Sequence, residues 1–262
     1  MDQYFTDSRY NRQEQMPEWG PGRQRMLGDA RVAVIGAGGV KSTLLMNLVA
    51  GGIGYVRIIE FDVVELSNLN RQLLYRTPDL GKPKGETALR TLRALNPEVT
   101  VELIEQKITV ENITEMLRDT EFIVEGGDSP AGRNLVNRYC LASEKPFVHA
   151  SAQFAYGYVF SVIPSQKTAC FACFFPEDHT RRSHTGPVPV CGLATSIAGS
   201  LGAVEVFKWF MGYQQNMIIN KRLCFSSLLQ SEQFEYLPQQ RRTGCPACAK
   251  YYRVGADKTA ST

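Results

Sequence analysis

A short apolar run ending in glycines constrains this chain more than any other feature. Arg31-Val-Ala-Val-Ile35 is rich in β-branched residues; Gly36-Ala-Gly38-Gly39-Val-Lys-Ser42 follows directly, and a helical stretch runs from Ser42 to Ala50. A strand, a tight glycine turn and a helix in that order let the backbone approach a phosphate, and the free N–H groups of the helix start attract its charge. A Walker-type loop would need glycine immediately before its lysine, and Val40 stands there. Lys41 in turn occupies the place where a dinucleotide-binding turn carries its third small residue.

The alternation continues along the first half. Tyr55–Phe61 reads as a strand and Lys84–Leu95 as an amphipathic helix stopped at Asn96-Pro97. Val99–Ile104 reads as a strand, Val110–Arg118 as a helix, Glu121–Val124 as a strand and Arg133–Ser143 as a helix leading to a strand at Pro146–Ala150. Such a pattern builds an α/β fold with a Rossmann-like, doubly wound, mostly parallel sheet. The second half differs. Ala155–Ile163 is strand-like, residues 167–189 have no period, Leu193–Met211 regains helical spacing and Leu223–Leu237 suits one or two strands. Residues 1–30, interrupted by Pro17, Gly20, Pro21 and Gly22, read as an irregular arm.

Composition excludes some partners. A net charge of +3, with no basic block, argues against nucleic acid. The apolar stretches fall far short of the roughly 20 residues needed to span a bilayer. The polar start of the chain lacks a signal-peptide pattern, so a cytoplasmic protein is expected, with no membrane partner.

Glu60 and Asp62 lie at the end of the second strand, about 20 residues beyond the glycine turn, where an acid can accept from a ribose diol. On these features alone an NAD-dependent dehydrogenase stays open. The next residues favour a triphosphate. Ser67-Asn68-Leu-Asn70-Arg71-Gln72 and Gly81-Lys-Pro-Lys84 bring cations and amides close to the turn. Asp128 follows the strand Glu121–Val124, at a carboxyl end where open sheets place ligands, and a carboxylate there suits magnesium.

With Arg9-Tyr-Asn-Arg12-Gln13 added, these pieces carry a resemblance to the ThiF/MoeB/HesA family over essentially the whole chain. The resemblance implies ATP as substrate, with Gly39 and Glu60 at the adenosine and ribose, Asn68, Arg71 and Lys84 around the phosphates, and Gly36, Gly38, Asp62, Asn70 and Gln72 completing the nucleotide site. Asp128 would position magnesium and the attacking carboxylate. Arg12 would reach the triphosphate of a neighbouring subunit, which implies a homodimer. The family usually has Asp where Glu60 stands. One adenylation domain over 1–262 is expected: an arm at 1–30, a nucleotide-binding core at 31–150, a carrier-facing part with a metal site at 151–252 and a flexible tail at 253–262.

Cys170-Phe-Ala-Cys173 and Cys245-Pro-Ala-Cys248 are two matched CxxC pairs. Four thiolates so spaced suit structural zinc, which contributes about 10–16 kcal/mol in small peptides, ahead of a redox pair or an iron–sulfur cluster. Family members that relay an acyl group usually carry a nucleophilic cysteine before the long helix. That position falls at Thr185, and Cys191 is the candidate nucleophile if the loop is shifted; a small buried cysteine is the alternative. Cys140 and Cys224 read as core, and His149, His179 and His184 have no metal spacing.

By family analogy the expected reaction is adenylation of the C-terminal carboxylate of a small ubiquitin-like sulfur carrier ending in Gly-Gly. Adenylation of a peptide or small-molecule carboxylate, and a non-catalytic nucleotide-binding scaffold, are the alternatives.

Overall fold

The computed structural model describes residues 8–127, 129–176, 188–226, 228–230 and 233–252. The β-branched run forms β1 (Arg31–Ile35), buried at its centre. Gly36 follows at φ +88, a left-handed conformation that glycine takes without a Cβ clash. α3 (Gly39–Gly51) leaves the turn and is closed by Gly52 in the left-handed conformation. The chain returns as β2 (Tyr55–Ile59), crosses over through α4 (Lys84–Leu95) and adds β3 (Thr100–Ile104). It then passes through α5 (Ile113–Leu117) to the other side of β1, where β4 (Phe122–Glu125) pairs in parallel.

α6 (Pro130–Ser143) leads to β5 (Phe147–Gln153), the last parallel strand. A hairpin at Phe154-Ala155 turns the chain into the antiparallel β6 (Tyr156–Val162), and β7 (Lys221–Ser226) and β8 (Gln233–Pro238) extend the sheet. The strand order is β3-β2-β1-β4-β5-β6-β7-β8. Between β1 and β4 the winding reverses, and open sheets of this kind hold ligands in the crevice beyond the strand ends there. All four residues of β4 are buried, as expected of an inner parallel strand covered on both faces.

Two short helices precede β1, α1 (Asn11–Glu14) and α2 (Gly20–Asp29). The arm is therefore not irregular. Gly20, Pro21 and Gly22 lie in the first turn of α2, where proline lacks only an N–H that has no helical partner. α7 (Phe171–Phe174) sits within the first cysteine pair, and α8 (Gly192–Phe210) packs against α3. Small residues permit this approach. A Cβ on Gly199 would collide with the Val40 carbonyl, and one on Gly202 would come within 2.9 Å of Leu44 Cδ1. Cys140 is buried as expected, whereas Cys224 on β7 is only partly covered. Among the described residues no helix is long and apolar enough to cross a membrane.

Candidate active site

Glu60 lies just beyond β2 and is only 5% exposed. One carboxylate oxygen accepts from the Ala37 N–H at 2.7 Å, and the other accepts from Phe61 and Asp62 at 2.8 and 2.9 Å. The longer glutamate arm thus ties the glycine turn to the end of β2. Three of its four lone-pair positions are used, so a ribose hydroxyl would find one left. Tyr75, which sequence reasoning passed over, braces the same turn by donating to the Ala37 carbonyl at 2.9 Å. Burial pushes its phenol up, so it stays protonated.

The polar segment folds back over this turn. Asn68 closes a short 3-10 turn by accepting from the Glu65 N–H at 3.1 Å. That turn delivers Arg71 and Gln72 to the glycines. A Cβ on Gly39 would stand 3.3 Å from Arg71 Cγ and 2.9 Å from Thr195 Cγ2 of α8, and one on Gly38 would stand 3.9 Å from Gln72 Nε2. Gln72 is buried and its Oε1 has no hydrogen-bond partner, an orphaned acceptor beside the turn that suits a ligand donor. Arg71 donates to the Ser67 carbonyl at 2.6 Å and to Asn70 Oδ1 at 3.0 Å. Lys84 opens α4 and is 7% exposed; its ammonium lies 3.4 Å from Asp62 at the end of β2. Gly36, Gly38, Gly39, Glu60, Asn68, Asn70, Arg71 and Gln72 therefore meet beyond the carboxyl ends of β1 and β2, with Asp62 and Lys84 beside them.

Arg12 is not among them. It is exposed on α1, whose Gln13 donates to the Gly51 carbonyl at the far end of α3. At 1.5 Å per residue that end is about 18 Å from Gly39. Asp128, expected to hold magnesium, lies outside the described residues, as do Thr185, His179 and His184.

The cysteine pairs come together. The four sulfurs lie within 4.8 Å of one another, with Cys170–Cys173 at 3.9 Å, Cys170–Cys245 at 3.8 Å and Cys173–Cys248 at 3.7 Å. Four sulfurs each about 2.3 Å from a tetrahedral zinc would be separated by about 3.8 Å, so the donor set fits that ion. The Arg242 N–H also points at Cys173 Sγ at 3.4 Å, a contact that favours a thiolate. Cys191 is the N-cap of α8, half-buried beside Ala194 and Ala198.

Where the end of β4 lies against β5 the structure places a pair that the sequence did not suggest. Glu125 and His149 are register partners, and His149 Nδ1 donates to Glu125 Oε2 at 2.6 Å, both fully buried. Burial alone would raise the Glu125 carboxyl, yet His149, then Lys41 and Arg133, hold it down at about 2. Burial pushes His149 down. Its ring is packed by Tyr158, Phe160 and Phe171. The sole sequence signal was an acid ending an apolar strand just before Gly126-Gly127.

A model of the ThiF family matches residues 10–247. The chain belongs to the ThiF family. Among its relatives, the sulfur carrier protein adenylyltransferase of Thermus thermophilus is 36% identical over 250 residues, covering 92% of this chain and 90% of the relative. The SAMP-activating enzyme E1 of Haloferax volcanii is 32% identical, covering 92% and 88%. Among solved structures, Escherichia coli MccB with ATP superposes with a TM-score of 0.81 at 25% identity, covering 94% of this chain and 75% of that one. The glycine turn and the polar segment after β2 thus sit within a family match that spans nearly the whole chain.

Proposed function

We propose that this ThiF-family chain is an ATP-dependent adenylyltransferase acting on the C-terminal carboxylate of a small ubiquitin-like sulfur carrier. The observation that carries the reading is the meeting of Arg71 and Gln72 with Gly38 and Gly39 at the reversal point of the sheet, with Lys84 alongside. The Thermus relative, a sulfur carrier protein adenylyltransferase, and the Haloferax relative, a SAMP-activating enzyme E1, support it.

In this reaction a carboxylate oxygen attacks the α-phosphorus of ATP. The bond from that phosphorus to the β-phosphate bridging oxygen breaks, and pyrophosphate leaves. No proton has to move, so the residues act by placement and charge. Gly38, Gly39 and the start of α3 receive the nucleotide, and Glu60 and Tyr75 hold the turn in shape. Arg71 and Lys84 balance the charge gathering on the departing pyrophosphate. Asn68, Asn70 and Gln72 supply neutral donors and acceptors around them, and Asp62 holds the Lys84 ammonium in place. Asp128 is the residue for magnesium by resemblance. The Cys170–Cys173–Cys245–Cys248 cluster would hold zinc and tie residues 245–248 to the domain, away from the chemistry. Arg12 would serve the site of a second copy, because its own site lies at the other end of α3. Cys191 would stand beside the site at the start of α8.

A second reading, adenylation of a different carboxylate, is favoured by the likeness to MccB, which has been solved with MccA. Exchange of labelled pyrophosphate into ATP separates the two. Exchange that depends on a carrier ending in Gly-Gly supports the first reading, and exchange only with another carboxylate supports the second. ATP binding with no exchange for any carboxylate would overturn both.

A further inference from the structure

A carboxylate that reads a ribose diol needs a free acceptor position for each of the two hydroxyls. Glu60 has spent its positions elsewhere. Its backbone N–H donates to the Ile104 carbonyl at 3.1 Å, which fixes the residue beside the end of β3. From there the side chain turns inward and is buried. One oxygen accepts from both the Phe61 and Asp62 N–H groups and is full. The other accepts from the Ala37 N–H at 2.7 Å, the shortest of the three bonds.

That last contact is secured at both ends. Ala37 is fully buried, so giving the bond up would strand a buried N–H. The Ala37 carbonyl is held in turn by the Tyr75 hydroxyl at 2.9 Å and the Ser42 hydroxyl at 3.4 Å. The preceding Gly36 N–H donates to the Ile59 carbonyl at 2.8 Å. Turn and carboxylate are therefore locked together, and the extra methylene of glutamate spans the gap between them. An aspartate would keep the Phe61 and Asp62 N–H groups, as aspartates do in tight turns, and would stop short of Ala37. Asp62, the other acid at this strand end, is turned to Lys84 at 3.4 Å.

We propose that Glu60 is a staple of the glycine turn rather than a reader of the ribose diol, so that this chain accepts an adenine nucleotide lacking one of the two ribose hydroxyls. The inference rests on the adenylation reading, since that reading puts the nucleotide on this turn. It departs from the expectation that Glu60 takes the diol. A single acceptor position remains on the oxygen that faces Ala37, and one position serves one hydroxyl. Sugar selectivity is thereby set by the length of one side chain.

The test is calorimetric titration of the full chain and its Glu60→Asp variant with ATP, 2′-deoxy-ATP and 3′-deoxy-ATP, alongside thermal melting. At least one deoxy analogue should bind the unaltered chain within about three-fold of ATP, because no charged hydrogen bond is lost with that hydroxyl. Glu60→Asp frees the second oxygen for the sugar. It should bind that same analogue about ten-fold more weakly than ATP, the worth of one charged hydrogen bond. Losses beyond about three-fold for both analogues with the unaltered chain overturn the inference, whether or not the variant folds. A folded Glu60→Asp protein that still binds the analogue within about three-fold of ATP also overturns it, because the tolerance then does not come from the reach of Glu60. Failure of the unaltered chain to bind ATP would instead overturn the adenylation reading.

Discussion

Glu125 and His149 occupy matched positions on β4 and β5, and their stability contribution is open to a direct pH test. The Glu125 carboxyl is held at about 2 in the folded chain against an ordinary 4.5, so the folded state favours its ionised form. That stabilisation is fully present above about pH 4.5 and is lost as pH falls from there toward 2. Urea unfolding across this window should show stability falling with a slope of up to about 1.4 kcal/mol per pH unit from this group. Glu125→Gln should lower stability at neutral pH and flatten that part of the profile. An unchanged slope would mean that the carboxylate is not selectively stabilised. Arg71 calls for a kinetic test. Arg71→Ala should slow carboxylate-dependent pyrophosphate exchange by roughly 10²–10³-fold, as for loss of one preorganised donor, with little change in melting temperature.

Among the elements, α8 and the cysteine knuckles depend on opposite devices. α8 reaches α3 through missing side chains, so Gly199→Ala should force the two helices apart against the Val40 backbone. The expected loss is about 1–3 kcal/mol in denaturant unfolding, the usual range for overpacking. The knuckles depend on an added ion. Purified protein should carry one zinc per chain, measured by elemental analysis. Cys245→Ser should release it and lower the melting temperature while leaving ATP affinity close to that of the unaltered chain. A metal-free protein with normal stability would remove zinc from the account. Much of this was legible beforehand: Lys84–Leu95 forms a helix over its expected residues, and the matched CxxC spacing anticipated the sulfur cluster. The arm was misread because Gly-Pro-Gly looks like a break unless it falls in the first turn of a helix, where those residues are tolerated.

At the scale of the whole molecule, Arg12 and the glycine turn lie at opposite ends of α3. If Arg12 acts on a second copy, Arg12→Ala and Arg71→Ala subunits should each be inactive alone and complement when mixed. Random pairing makes half the dimers mixed, each with one intact site of two, so about a quarter of the unaltered exchange activity should return. No recovery after confirmed subunit mixing would place Arg12 outside the reaction.

By itself the sequence determined the alternating sheet, the turn at Gly36–Gly39, the polar segment through Gln72 and the four sulfur donors. Each is written in local order, as periodicity, a glycine at a strand end or a fixed spacing. Only the tertiary structure decided that Glu60 spends its carboxylate on the turn, that Thr195 and Arg71 close over Gly39, and that Glu125 meets His149. It alone set the Lys41 head against Gly126. These pairings join residues of separate strands and helices, and the register of β4 on β5 and the packing of α8 on α3 fix them. No local pattern encodes those distances.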